Sequence, residues 1–178
     1  GIAGDFTVTK VADDHFKIFG SGMAERYHKR FFDTVPRHQD IRLQSLTESW
    51  AGFAVAGPRS RELLQTLSNE DLSNDNFGFM RSRSMHVAGI EVFAMRVSFT
   101  GELGWELYTP EQNQLTLYQA LLTAGTAFGI KPVGGRALLS MRVEKGYGSW
   151  GREYSPEYWP QEVGLAGLVK TEKSEFLG

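Results

Sequence analysis

The sequence predicts an α+β protein in which helices pack on antiparallel or mixed sheets. Three observations carry that prediction. Several short runs alternate apolar and polar residues with a period of two, as half-buried strands do. Other segments repeat apolar residues three to four positions apart, as one face of a helix does. The two kinds of segment follow one another in the order β-β-α-β-β-α-β-β-β-β-α-α, with turn signals between adjacent strands.

The run from Asp5 to Val11 is rich in β-branched residues, with Phe6 and Val8 on one face and Asp5, Thr7 and Thr9 on the other. Asp13-Asp14-His15 is a turn signal, and Phe16 and Ile18 resume the alternation, so a hairpin is expected. Ser21 suits an N-cap, and Met23, Tyr27 and Phe31 recur at helical spacing before Pro36. Ile41 to Leu46 and Trp50 to Ala56 read as strands. Gly57-Pro58 opens a helix whose buried side is Leu63, Leu64 and Leu67. Leu72 to Gly78 is turn-rich. Met85 to Val87 and Ile90 to Phe93 flank Ala88-Gly89, a tight hairpin, and further strands run from Met95 to Phe99 and from Trp105 to Tyr108. Thr109-Pro110-Glu111-Gln112 reads as a helix start, with Leu115, Tyr118 and Leu122 as the apolar stripe and Gly125 as the stop. Gly134-Gly135 begins a last helix that stops near Gly146, followed by an irregular aromatic segment from Ser149 to Pro160.

Composition bounds the function. The chain of 178 residues carries a net charge of −2, which gives no general push toward nucleic acid or an anionic membrane. No apolar run approaches the roughly 20 residues of a spanning helix. There is no cysteine, which excludes disulfides, thiolate metal sites and cysteine nucleophiles. His15, His28, His38 and His86 are not spaced as a metal pair and read as surface or packing residues. No dinucleotide fingerprint, P-loop or nucleophile elbow is present. The first residues, Gly1-Ile-Ala-Gly-Asp5, carry no initiator methionine, signal or transit character, so the chain reads as a piece of a longer polypeptide.

Three residues stand out chemically. Glu106 lies in an aromatic strand with Trp105 and Leu107 on the opposite face and Tyr108 on its own. A carboxylate there needs partners, and its two oxygens match a ligand edge with two adjacent N–H donors; the plainer reading is an exposed strand glutamate. Asp5 follows glycines that permit close approach, but on pattern alone a turn aspartate capping local N–H groups is the stronger reading. Arg136 follows two glycines at a helix start, where a cation opposes the helix dipole and calls for a compensating partner or ligand; most such arginines are simply solvated. Arg142 and Glu144 read as structural. Tyr147, Trp150, Tyr154, Tyr158 and Trp159 read mostly as packing, with a flat-ligand wall as the other possibility.

Two segments carry a resemblance that reaches further: Phe99-Thr-Gly-Glu-Leu-Gly-Trp-Glu106, then Gly134-Gly-Arg-Ala-Leu-Leu-Ser-Met-Arg-Val-Glu-Lys-Gly146. With Gly1-Ile-Ala-Gly-Asp-Phe-Thr-Val8 before them, they resemble the folate-binding aminomethyltransferase family, which comprises the glycine-cleavage T-protein and the C-terminal region of sarcosine and dimethylglycine dehydrogenases. The segment from Glu144 to Glu153, with Glu162-Val-Gly-Leu165, looks closest to the dehydrogenase branch. The resemblance implies a T-protein-like folate-binding domain over residues 1–170, incomplete at both ends, with 171–178 starting a connection to an absent C-terminal barrel. It implies tetrahydrofolate as cofactor, FAD in an absent domain of the parent chain, and a small N-methylated amine as substrate. That amine would be oxidised at the flavin and its carbon passed to tetrahydrofolate. It implies a catalytic role for Asp5 and folate-binding roles for Glu106, Arg136 and Tyr108. It places the parent in the cytoplasm, or in the mitochondrial matrix of a eukaryote.

This chain departs from the family pattern at two positions. It has Gly4 where T-proteins commonly have a first acid, and Phe99 where relatives often carry tyrosine. Other readings remain: a non-catalytic folate-binding paralogue, against which Lys145-Gly-Tyr147 counts because it lacks that branch's cysteine; a folate-dependent demethylase of sulfonium compounds; and a docking domain for the flavin unit.

Overall fold

The computed structural model describes residues 1–34 and 41–174. Pro36, His38 and residues 176–178 lie outside the described residues. The chain divides into two compact units, one made of Gly1–Leu43 and Gly148–Gly178, the other of Gln44–Tyr147. Among the described residues no helix is long and apolar enough to cross a membrane.

In the first unit the expected hairpin forms. Strands β1 (Thr7–Ala12) and β2 (His15–Phe19) pair antiparallel around the aspartate turn, with Val8 opposite Ile18 and Lys10 opposite Phe16. The faces are the reverse of the simplest expectation. Thr7 and Thr9 are half-buried, whereas Val8, Phe16 and Ile18 are exposed. A 3-10 turn then leads into α1 (Glu25–Phe32), and Ser21 caps nothing with its side chain; its carbonyl accepts the Ala24 N–H instead. Helix α1 is also turned: Ala24 and His28 are buried, while Met23, Tyr27 and Phe31 are exposed. From Gly148 on, the chain is irregular, held by a bridge between Trp150 and Tyr154 and by the Ile2 N–H donated to the Ser155 carbonyl. Within the aromatic segment Trp150 and Tyr154 pack inward, but Tyr158 and Trp159 are exposed, as is Tyr147 in the other unit.

The second unit is built on a four-stranded antiparallel sheet in the order β3-β6-β5-β4: β3 (Trp50–Ala56), β4 (Ser82–Val87), β5 (Ile90–Met95) and β6 (Gly104–Pro110). Three helices accompany it: α2 (Ser60–Leu67), α3 (Gln114–Gly125) and α4 (Gly135–Glu144). The β4–β5 hairpin turns through Ala88 and Gly89, with φ of 52° and 76°. Two left-handed central residues make the turn whose twist matches the strands, which fixes Val87 opposite Ile90.

Two expected strands are absent. Ile41 to Leu46 alternates in sequence but has no strand to pair with, and β5 runs through Met95 and stops, leaving 96–98 irregular. Alternation is not enough for a strand without a neighbour to take its hydrogen bonds. Thr109 is the other correction: it lies within β6, fully buried, and caps no helix. Its hydroxyl donates to the Glu91 carbonyl at 2.9 Å and accepts from the Asn113 amide.

One face of this sheet forms the core. Val55, Val92, Ala94, Trp105 and Leu107 meet Leu63 and Leu64 of α2, with Leu117 and Leu121 of α3. Leu72 and Phe77 reach in from the turn-rich segment, and Arg96 lies over the Trp105 ring at 4.7 Å. On α3 the buried stripe is therefore Leu117, Leu121 and Gly125, and the expected one is largely outside: Leu115 is 65% exposed and Tyr118 39%. Replacing Leu117 by alanine should cost about 2–5 kcal/mol in urea denaturation. Leu115→Ala should stay within about 0.5 kcal/mol. Equal losses for the two variants would mean that α3 docks by a different face.

Candidate functional site

Strand β6 lies between β3 and β5, so both of its faces are set by the pleat. Trp105, Leu107 and Thr109 point into the core and are essentially inaccessible. Glu106 and Tyr108 therefore occupy the opposite face, away from α2 and α3. Across the ladders Glu106 stands opposite Ala54 and Met95, and Tyr108 opposite Gly52 and Phe93. The face is graded: Gly52 and Ala54 are exposed, Glu106 and Tyr108 half-buried, Phe93 and Met95 buried.

Gly52 matters because the Tyr108 ring lies over it. A Cβ at residue 52 would stand 2.8 Å from Tyr108 Cε1. With the ring seated there, the Tyr108 hydroxyl donates to Glu106 Oε2 at 2.6 Å, a short bond of the charge-assisted kind. Burial first, and then the Glu106 charge and this hydrogen bond, push the phenol far above its ordinary range. Tyr108 thus stays a donor, and Glu106 is held as an acceptor. Among the described residues nothing hydrogen-bonds to Glu106 Oε1, so half of the carboxylate remains available on a half-open face. The sequence expected two adjacent free oxygens; the structure engages one of them internally.

The bend before β6 is anchored at its far end. The Leu103 carbonyl accepts from the Gly57 N–H at 2.7 Å and from the Ser60 hydroxyl at 2.9 Å. Ser98 and Thr100 share a hydrogen bond between their hydroxyls across the turn. Beside it opens a cavity of about 330 Å³, lined by Arg96, Ser98, Glu102, Leu103 and Tyr147 among others.

The remaining predicted residues are dispersed. Arg136 is the second residue of α4 and exposed, and among the described residues its guanidinium has no ion-pair partner. Arg142 is buried and donates to the Tyr147 carbonyl at 2.9 Å, closing the end of α4 as a structural residue should. Asp5 belongs to the other unit, two residues before β1. It is open to solvent at its surface, yet the protein around it partly desolvates the carboxyl and raises it above the ordinary aspartate range. The structure thus brings Glu106 and Tyr108 together directly. Sequence reasoning passed over Gly52, although a glycine inside a strand pattern signals close approach by another group. It also passed over Arg96, whose place at the cavity follows only from where β5 ends.

The pair is testable by titration. Tyr108 should show no tyrosinate absorbance near the ordinary tyrosine pKa of 10.0, and Glu106→Gln should lower its midpoint by removing a charge that favours the neutral phenol. Because the folded-state pKa is raised, the stability Tyr108 contributes is complete below about pH 10 and declines as pH rises above it. An unmoved midpoint in Glu106→Gln would show that the two groups do not interact.

Comparison with known proteins agrees with this architecture. The model of the GCVT N-terminal domain matches residues 1–173. The chain is 36% identical to dimethylglycine dehydrogenase, mitochondrial, of Mus musculus, over 98% of this chain and 20% of that protein. It is 34% identical to sarcosine dehydrogenase, mitochondrial, of Mus musculus, over 100% of this chain and 21% of that one. It is 30% identical to the aminomethyltransferase of Caldanaerobacter subterraneus subsp. tengcongensis, over 100% of this chain and 47% of that one. The chain therefore spans about a fifth of the dehydrogenases and about half of the aminomethyltransferase. Among solved structures, the heterotetrameric sarcosine oxidase from Corynebacterium sp. U-96 in complex with pyrrole 2-carboxylate shares the fold. It gives a TM-score of 0.57 at 19% identity, covering 75% of this chain and 66% of that one. A domain match over nearly the whole length and the α+β architecture lead to one conclusion: the chain belongs to the GCVT N-terminal domain family.

Proposed function

We propose that the chain binds tetrahydrofolate and serves folate-dependent one-carbon transfer, as a section of a flavin-linked sarcosine or dimethylglycine dehydrogenase. The Glu106–Tyr108 pair carries this reading. A carboxylate with one oxygen held by a phenol and the other open, on a half-exposed sheet face bordered by small residues, suits the N–H edge of a flat heterocycle. The similarity to dehydrogenases named for dimethylglycine and sarcosine supports the choice of a small N-methylated amine as the other reactant.

In this proposal each residue has one task. Glu106 accepts from the ring edge. Tyr108 fixes the Glu106 rotamer, so that little orientation is lost on binding. Arg136, exposed and among the described residues without an ion-pair partner, adds positive charge to the pocket. Asp5 holds or accepts a proton at the reacting nitrogen and stabilises positive charge there. Tetrahydrofolate, when bound, supplies the nitrogen nucleophiles that take up the one-carbon unit. FAD belongs to a part of the polypeptide outside this chain. Residues 1–170 are assigned to the folate-binding domain and 171–178 to the connection toward a C-terminal barrel. The cellular setting is the cytoplasm, or the mitochondrial matrix in a eukaryote.

Calorimetric titration of tetrahydrofolate into the full polypeptide tests the folate site. Glu106→Ala should weaken binding at least about tenfold, since a hydrogen bond to a charged group is worth about 1.5–3 kcal/mol. Unchanged affinity would remove Glu106 from the site, and absence of binding by the unmodified polypeptide would leave a docking domain as the better reading. Asp5→Asn should leave folate affinity intact and lower turnover by about a hundredfold or more. Asp5 works as a carboxylate, so activity should fall as pH drops through its pKa. Burial places that acid limb above the ordinary 3.8, and the limb should vanish in Asp5→Asn.

A further inference from the structure

The first unit holds a buried polar group with no use in the fold. His28 is only 6% exposed, and among the described residues its Nε2 has no hydrogen-bond partner. Aromatic rings grip it: Phe6 at 4.7 Å and Trp150 at 4.6 Å, both edge-on, with Tyr27 at 5.4 Å. Leaving such a nitrogen buried and unsatisfied is destabilising. Phenylalanine would fill the same cage without that cost, so packing alone does not account for a histidine here.

Its location does. The nitrogen faces Gly4, where a side-chain Cβ would stand 3.1 Å from Nε2. Phe6, the residue on the other side of Asp5, is the ring that meets His28 edge-on, and it is closely backed by Gly4 and Gly20, so it has little room to shift. Both chain neighbours of Asp5 are thus packed on one imidazole. Burial at His28 and close approach at Gly4 are independent observations, and they meet at the same three residues.

We propose that His28 is a positioning residue for Asp5: its ring contacts hold Gly4 and Phe6, and its Nε2 hydrogen-bonds to the Gly4–Asp5 segment when the site is loaded. The inference rests on the proposed role of Asp5. Mispositioning an acting group by about 1 Å can cost a hundredfold in rate, so the effect falls on turnover and leaves ligand affinity alone.

A double-mutant cycle in the full polypeptide tests it, with His28→Phe and Asp5→Asn singly and together, following kcat, KM, tetrahydrofolate Kd and Tm. His28→Phe keeps the rings packed and deletes the nitrogen. It should hold or raise Tm, leave Kd unchanged and lower kcat about tenfold or more, and it should cost nothing further once Asp5 is asparagine. Unchanged kcat, or an equal loss in the Asp5→Asn background, would overturn the inference. If His28→Phe does not fold, His28→Gln decides. Retained kcat supports a hydrogen-bonding role, and a loss as large as that of His28→Leu reduces His28 to packing. Asp5→Asn without effect sinks the role of Asp5 itself; an effective Asp5→Asn beside a silent His28→Phe sinks only the inference about His28.

Discussion

The pleat of β6 is the constraint from which the second unit follows. It lies between β3 and β5, and a one-residue slip would turn every side chain to the other face. Trp105 and Leu107 would then leave the core they share with α2 and α3, while the Glu106 carboxylate would be turned into it. Both errors are costly, one through lost apolar burial and the other through a buried charge. The long ladder to β3, from Trp50 opposite Pro110 to Ala56 opposite Gly104, therefore fixes the core and the open face in a single act.

The first unit is held differently. A two-stranded hairpin is marginal by itself, and a helix of eight residues draws little from its own hydrogen bonds. What ties these pieces together is the ring cluster of Phe6, Tyr27, His28 and Trp150, which joins the start of the chain, α1 and the segment after Gly148. Val8, Phe16 and Ile18 contribute little to it, because their face of the hairpin looks outward.

Elements with self-contained signals were legible from sequence. The Ala88-Gly89 turn, the Gly134 start of α4, the leucines of α2 and the alternation of β6 each state their own geometry within a few residues. Faces were less legible. Helix α3 is apolar nearly all round, so Leu115-Tyr118-Leu122 and Leu117-Leu121 are both acceptable stripes, and only distant neighbours decide between them. On α1 and β1, too, the buried face is set by neighbours distant in sequence. Ile41–Leu46 shows the remaining limit: a strand is a relation between two segments, and its partner is written nowhere near it. At the site, Glu106 and Tyr108 could be paired from their spacing of two, but the ring resting on Gly52 depends on the β3 register. Composition and spacing alone would have stopped at an interesting strand acid; the named chemistry came from family likeness.

The Tyr108–Glu106 bond has a consequence for discrimination. In the proposed site, with one oxygen taken and the other open, Glu106 would have only lone pairs to offer and would read the polarity of an approaching edge. There a ligand presenting N–H would be accepted, and an otherwise identical ligand presenting a lone pair at that point would meet repulsion from the carboxylate that Tyr108 holds in place. Selectivity of this kind works by exclusion. It survives changes in overall shape, and it is lost when the phenol that pins the acid is removed.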